Sequence, residues 1–144
     1  MNLTFTIAEF GGDLHQQSIV LRDQVLRKPL GLRFTDIELA QEIDQQHLVA
    51  TVDGIVVAVT LLVNQSDQVF KLRQFAVNEN VQGQGIGKKL LHFVENTAID
   101  QGKKSIELHA REVAAKFYAQ YEYVVVGEPF TEVGLPHFKM RKKL

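Results

Sequence analysis

Leu72-Arg73-Gln74-Phe75-Ala76-Val77-Asn78-Glu79-Asn80-Val81-Gln82-Gly83-Gln84-Gly85-Ile86-Gly87-Lys88 is the stretch on which the reading of this chain turns. A run with strand character ends at Val77, and three alternating glycines follow at the mouth of a helix whose apolar face is Ile86, Leu90, Val94 and Ala98. Glycine permits sharp backbone turns and leaves no Cβ between its amide and a ligand. The first turn of a helix carries unpaired N–H groups and partial positive charge, so it suits an anion such as a phosphate or pyrophosphate. One glycine would serve a plain turn, whereas three leave the loop bare.

Two common phosphate motifs fail here. A P-loop ending at Gly87-Lys88 would place Gln82 at its first glycine and Lys89 at its metal-binding hydroxyl. A dinucleotide fingerprint starting at Gly83 would end on Lys88 instead of glycine. It also wants the loop after the first strand of a parallel sheet, and here three strands of antiparallel character precede it.

Working outward, Leu3, Phe5 and Ile7 alternate with threonines and predict a strand. Leu14, Ser18, Leu21 and Val25 share a helical face, with Asp13 as the expected N-cap and Pro29 as the stop. A second short helix is expected over 35–43, with Ile37, Ala40 and Ile43 inward. Leu48–Val52 and Ile55–Val63 are β-branched runs joined by Asp53-Gly54, a strong hairpin signal, and Gln68–Val77 completes a meander. After the glycine-rich loop come a helix stopped by Gly102, a strand at Ser105–Ala110, a helix at Glu112–Tyr121 and a strand at Tyr123–Gly127. The loop Pro129–Pro136 then leads to a last strand at Phe138–Lys142. The order β-α-α-β-β-β-α-β-α-β-β predicts an α/β fold, with a mixed, mostly antiparallel sheet and helices on both faces.

Composition narrows the function classes. At 144 residues, one domain spanning 1–144 is expected. Sixteen Lys and Arg against 17 Asp and Glu leave a formal charge of −1, so no basic field favours nucleic acid. The chain has no Cys, which excludes disulfides, thiolate metal sites and a cysteine nucleophile. The five His show no metal-ligand spacing, so no metal is expected. The first residues do not read as a signal peptide, and the longest apolar stretch, Ile55–Val63, is far shorter than the ~20 residues that span a bilayer. A soluble, cytoplasmic domain is expected.

Gln82, Gly85 and Gly87 fit Gln/Arg-x-x-Gly-x-Gly, and here the chain resembles the GNAT superfamily of N-acetyltransferases. The resemblance covers nearly the whole chain, because the order of elements is also the family's. It implies that Gln82, Gly83, Gln84, Gly85, Ile86, Gly87 and Lys88 hold the pyrophosphate of acetyl-CoA, and that backbone groups of Phe75, Ala76 and Val77 meet its pantetheine arm. A second segment, Arg111–Tyr123, is similar to the family's Asn-x-x-Ala-x-x-Phe-Tyr-x-x-x-Gly-Phe: Ala114, Phe117 and Tyr118 match, and Tyr123 takes the closing aromatic's place. Arg111 stands where the family commonly has Asn, and Glu122 where it has Gly.

A tyrosine phenol, with pKa about 10, is a neutral donor at pH 7 and can protonate a departing thiolate. The resemblance implies that catalytic role for Tyr118. For the proton of the attacking amine, the sequence offers Glu107 and His109 on one strand face, Glu132 and His137 around the Gly134-Leu135-Pro136 turn, or water. By the same resemblance, the basic segment Arg27–Phe34 lies over the acceptor. The expected activity is transfer of an acetyl group from acetyl-CoA to a small-molecule or peptide amine by direct attack in a ternary complex. The alternative is a non-catalytic acyl-CoA-binding sensor or partner domain. Family habit implies a homodimer.

Overall fold

The computed structural model describes Asn2–Leu144. Its strands are β1 (Leu3–Ala8), β2 (Gln46–Val52), β3 (Ile55–Asn64), β4 (Val69–Val77), β5 (Ser105–Arg111), β6 (Val124–Val125), β7 (Phe130–Glu132) and β8 (Leu135–Lys143). Its α-helices are α1 (Asp13–Arg22), α2 (Asp36–Ala40), α3 (Ile86–Asp100) and α4 (Ala115–Ala119). The strands form one sheet in the order β1-β2-β3-β4-β5-β8-β6, with β7 added to β8. Every pairing is antiparallel except β4 with β5, which α3 joins as a crossover.

Local chemistry explains most of these elements. At the Asp53-Gly54 turn both residues take positive φ, 51° and 82°, the requirement of a two-residue type I′ hairpin. Helix α3 closes with Lys103 N–H on Ala98 O and Gly102 N–H on Ile99 O, the paired bonds of a Schellman motif. Its buried face, Ile86, Leu90, Leu91, Val94 and Ala98, packs on Leu48, Phe70, Leu72, Ile106 and Leu108 from the sheet. Each fully buried leucine or valine there contributes roughly 1.5–3 kcal/mol relative to exposure. The opposite sheet face is smaller: Val49, Val59, Leu61 and Ala76 are covered by Leu21 and flanked by Leu14, Val25 and Leu26.

Several expectations are corrected. Gly12, not Asp13, is the N-cap of α1, and Asp13 sits in the first turn with its carboxylate accepting from Gln17. Regular helix stops at Arg22; a wider turn, Asp23–Arg27, and a tight one, Lys28–Leu30, carry the chain to Gly31. Helix α2 stops at Ala40, short of the expected 43, and covers little core: Ile37 is 72% exposed, and Ile43, in the turn beyond, is 60% exposed. The loop expected at Pro129–Pro136 contains β7 and the start of β8, whose tight turn places Val133 and Gly134 at positive φ, while β6 is only two residues long. Among the described residues, no helix is long and apolar enough to cross a membrane.

Candidate active site

The sheet is split at its centre. β4 and β5 pair only from Val69–Leu72 against Ser105–Leu108, yet β4 runs on to Val77 and β5 to Arg111. Beyond Leu72 and Leu108 each strand keeps its outer neighbour and loses its inner one: Arg73, Ala76 and Val77 pair with β3, and His109–Arg111 pair with β8. Gln74 marks the parting. It takes φ 57° beside the register shift opposite Val59 and Leu61, a bulge that bends the strand. Thr60 supports it by donating its hydroxyl to Arg73 O at 2.9 Å. A cleft of about 580 Å³ opens in the gap.

Tyr118 and Phe75 line this cleft. Helix α4 brings the Tyr118 ring 6.0 Å from Phe75, 5.2 Å from Phe117 and 5.8 Å from Tyr123, all edge-on. Burial pushes the Tyr118 phenol well above its ordinary range, so it stays protonated at neutral pH. Tyr123, further inside, donates to Glu95 at 2.9 Å and packs as core.

The glycine-rich loop lies beside the cleft and outside its lining. Gly83 and Gly85 take φ 83° and 78°, and a Cβ on either would meet nothing within 4 Å. Gly85 is the N-cap of α3, whose first helical bond is Lys89 N–H to Gly85 O at 3.1 Å. The amides of Ile86, Gly87 and Lys88 are left without intrahelical acceptors. This bare, outward-facing turn fits the pyrophosphate of a coenzyme A thioester. Gln82 does a structural job, donating to Val77 O at 3.1 Å, and Gln84 and Lys88 are exposed. Ile86 is core. Gly87 differs from its neighbours: it lacks positive φ, and a Cβ there would touch Phe117 at 3.5 Å and Val77 at 3.7 Å. Gly87 thus lies beside Phe117, whose ring in turn packs on Tyr118 at 5.2 Å. Along β4, the Ala76 side chain is buried under α1, and Val77 packs toward α3.

The four sequence candidates for the amine's proton separate. His109, Glu132 and His137 line the cleft together, and Glu107 does not. Glu132 Oε1 lies 3.1 Å from His109 Nδ1 and its Oε2 lies 3.6 Å from His137 Nε2. Phe130 packs edge-on to His109 at 4.9 Å. His137 Nδ1 meets Leu135 O at 2.9 Å, which fixes that ring. Glu107 sits below the parting, opposite Lys71 in the paired segment, and binds Arg141, Lys139 (3.5 Å) and Gln65 (3.2 Å). Burial alone would raise its carboxyl, but the hydrogen bonds from Arg141 and Gln65 and the Lys139 charge hold it below the usual range. It is an ion-paired structural carboxylate.

Sequence reasoning did not single out Gln74, Lys71, Arg73 and Arg111 as cleft residues. A signal for the bulge was present: apolar spacing of two at Phe70 and Leu72 slips to three before Phe75. Nor did it find the ion pair beneath α1. Arg22, fully buried, forks onto Glu42 at 2.9 and 2.7 Å and lies over the Phe34 ring.

Comparison with known proteins agrees with this geometry. The family described as "Acetyltransferase (GNAT) domain" matches residues 21–144. The chain is 29% identical over 100 residues to a Bacillus subtilis (strain 168) protein named "Putative acetyltransferase BSU40680", covering 69% of this chain and 67% of that one. The Escherichia coli ElaA structure superposes with TM-score 0.82 at 19% identity, covering 98% of this chain and 99% of that one. A GNAT family acetyltransferase from Elizabethkingia anophelis with acetyl-CoA bound gives TM-score 0.77 at 17% identity, covering 99% of both chains. This chain belongs to the GNAT acetyltransferase family and is an acyltransferase whose chemistry is acetyl transfer.

Proposed function

We propose that the protein acetylates a primary amine by direct attack within a complex that holds both substrates in the β4–β5 cleft. The observation that carries this reading is the convergence of a protonated, buried Tyr118 with His109, Glu132 and His137 on one opening. The exposed amides at the start of α3 support acetyl-CoA as the donor, with Gln82 to Lys88 along its pyrophosphate and the open edge of Phe75, Ala76 and Val77 along its arm. Acetyl-CoA, when bound, supplies the activated acetyl thioester.

The chain's residues then have separate tasks. His109, oriented by Glu132, takes a proton from the amine nitrogen, so that its lone pair can form the new N–C bond. Glu132 also attracts the ammonium form that such an amine adopts in water. Tyr118 gives its phenolic proton to the sulfur as the C–S bond breaks, and solvent later replaces it. From the ammonium form two protons leave the nitrogen, the first through His109 before attack and the second from the adduct as it collapses. One reaches the thiol from Tyr118, so that one proton is released to solvent for each acetyl transferred. The sequence contains no cysteine to carry a covalent acetyl group, which favours the direct route.

The test is a panel of amines assayed with acetyl-CoA and read by free thiol release. Amine-dependent thiol with matching N-acetyl product supports the proposal. Tight acetyl-CoA binding with no turnover on any amine would favour a sensor or partner domain instead.

A further inference from the structure

The charges lining the cleft are unbalanced. Four cationic residues line it, Arg27, Lys71, Arg73 and Arg111, against one carboxylate, Glu132, which is already engaged by two imidazoles. Arg27 has Glu38 at 3.7 Å. Arg73 donates to Gln45 at 3.0 Å and stands 4.0 Å from Glu42, whose two oxygens are taken by Arg22. Among the described residues, Lys71 and Arg111 have no ion-pair partner, and the Nε of Arg111 is buried with no hydrogen-bond acceptor. Two unpaired cations on one opening favour an anion from outside the chain.

The phosphates of acetyl-CoA do not answer this demand, because the loop fitted to the pyrophosphate lies outside the lining. We propose that the acceptor is a small amino carboxylate and that Arg111 is the ligand of its carboxylate, with Lys71 and Arg73 supplying supporting charge. This rests on the reading that the cleft acetylates amines.

Spacing supports the pairing of roles. His109 and Arg111 are two apart on β5, so they share a strand face and their Cα atoms stand about 7 Å apart. An amine held at His109 and Glu132 therefore has its carboxylate within reach of Arg111 when only a few atoms separate the two groups. A guanidinium can hold a carboxylate through two parallel bonds, which an amide oxygen cannot reproduce. The same cations repel polycationic amines.

The experiment compares matched acceptors in the full-length protein: β-alanine with its carboxamide, 4-aminobutyrate with its carboxamide, and tyrosine with tyramine. The carboxylate member of a pair is expected to show kcat/KM at least tenfold above the partner that lacks the carboxylate. Arg111→Gln should shrink that ratio toward one, mainly through KM of the carboxylate, while acetyl-CoA affinity measured by titration stays unchanged. Arg111→Lys should restore part of the preference. Equal use of both members, or preference for the one without the carboxylate, overturns the proposal. Loss of acetyl-CoA affinity in Arg111→Gln would do so as well, since the residue would then serve the donor. If no amine of any charge is turned over, the acetylation reading fails, and this proposal falls with it.

Discussion

The two walls of the cleft are made of different material. On the α3 side the proposed donor site is backbone: exposed amides, two glycines at positive φ, and an open strand edge. On the β5–β8 side the proposed acceptor site is side chain: His109, Arg111, Glu132 and His137, brought together by register and a tight hairpin. A backbone site tolerates change in side chains and fails when a Cβ intrudes. A side-chain site depends on what lies behind each group and can change ligand by changing one residue. Donor binding therefore belongs to the fold, and acceptor choice to a few replaceable positions.

The largest effect is expected away from both walls, beneath α1. Glu42 is the anchor of a network with Arg22, and Arg73 of the cleft stands at its edge. Burial works to raise the Glu42 carboxyl, but His47 and the Arg22 guanidinium hold it down to about 2. His47 Nε2 is 3.9 Å away, beyond hydrogen-bond reach, so the forked Arg22 pair carries most of this. Glu42→Gln leaves a fully buried guanidinium half-paired and should cost about 3–5 kcal/mol in denaturant unfolding at pH 7. The same pair predicts acid sensitivity. A carboxyl depressed from 4.5 stabilises the fold above that pH and loses its contribution as pH falls toward 2. His15 adds to this from a higher pH: burial, then His47 and Arg22, lower its pKa from 6.5, so its contribution begins to fade below that value. A wild-type stability curve flat between pH 7 and 3 would remove both groups from the account.

Next comes the backbone wall. Gly85→Val should lower acetyl-CoA affinity at least about a hundredfold while the domain still folds. A Cβ at Gly85 meets nothing within 4 Å, so the branched side chain stands in the space left for the phosphates. The left-handed backbone costs it roughly 1–2 kcal/mol. Gly87→Val should behave differently, because its side chain would press on Phe117 and Val77 and lower the melting temperature as well. Unchanged titration with acetyl-CoA in Gly85→Val would place the pyrophosphate elsewhere.

Tyr118→Phe tests the point where the walls meet. The variant keeps the ring and its edge-on contacts and loses one hydroxyl. General-acid assistance is typically worth about 10²–10⁴-fold, so turnover should fall by about two orders of magnitude with acetyl-CoA affinity nearly unchanged. Full turnover on the best acceptor would remove Tyr118 from the mechanism and leave water as the proton donor.

The contrast between the walls also explains what could be read in advance. Gln82, Gly85 and Gly87 are close in sequence because a backbone site is local, so the loop and its helix were visible, as was Tyr118 in its segment. Glu132 and His137 were grouped around their turn, but His109 was read apart from them, with Glu107 on its strand face. The meeting of His109 with that pair depends on β7, a three-residue strand hidden in a stretch with prolines at both ends. Arg111 looked like a departure from a familiar pattern, and only the parting of β4 from β5 shows which opening it faces. Ile37 and Ile43 misled for the opposite reason: their spacing is helical, but α2 ends at Ala40, leaving Ile43 in the following turn and both side chains exposed.

The smallest effect is the most direct check on the claim of a backbone site. Lys88 is the one cationic side chain in the loop, exposed in the first turn of α3. If amides and helix dipole carry the recognition, removing an exposed charge costs little, since such pairs are worth about 0–1 kcal/mol and salt screens them. Lys88→Ala should therefore weaken acetyl-CoA by no more than about fivefold, and the deficit should shrink as ionic strength rises. A loss as large as that of Gly85→Val would mean that a side chain holds the phosphates. The two walls would then be built alike, and the loop's glycines would be there to let Lys88 reach its ligand.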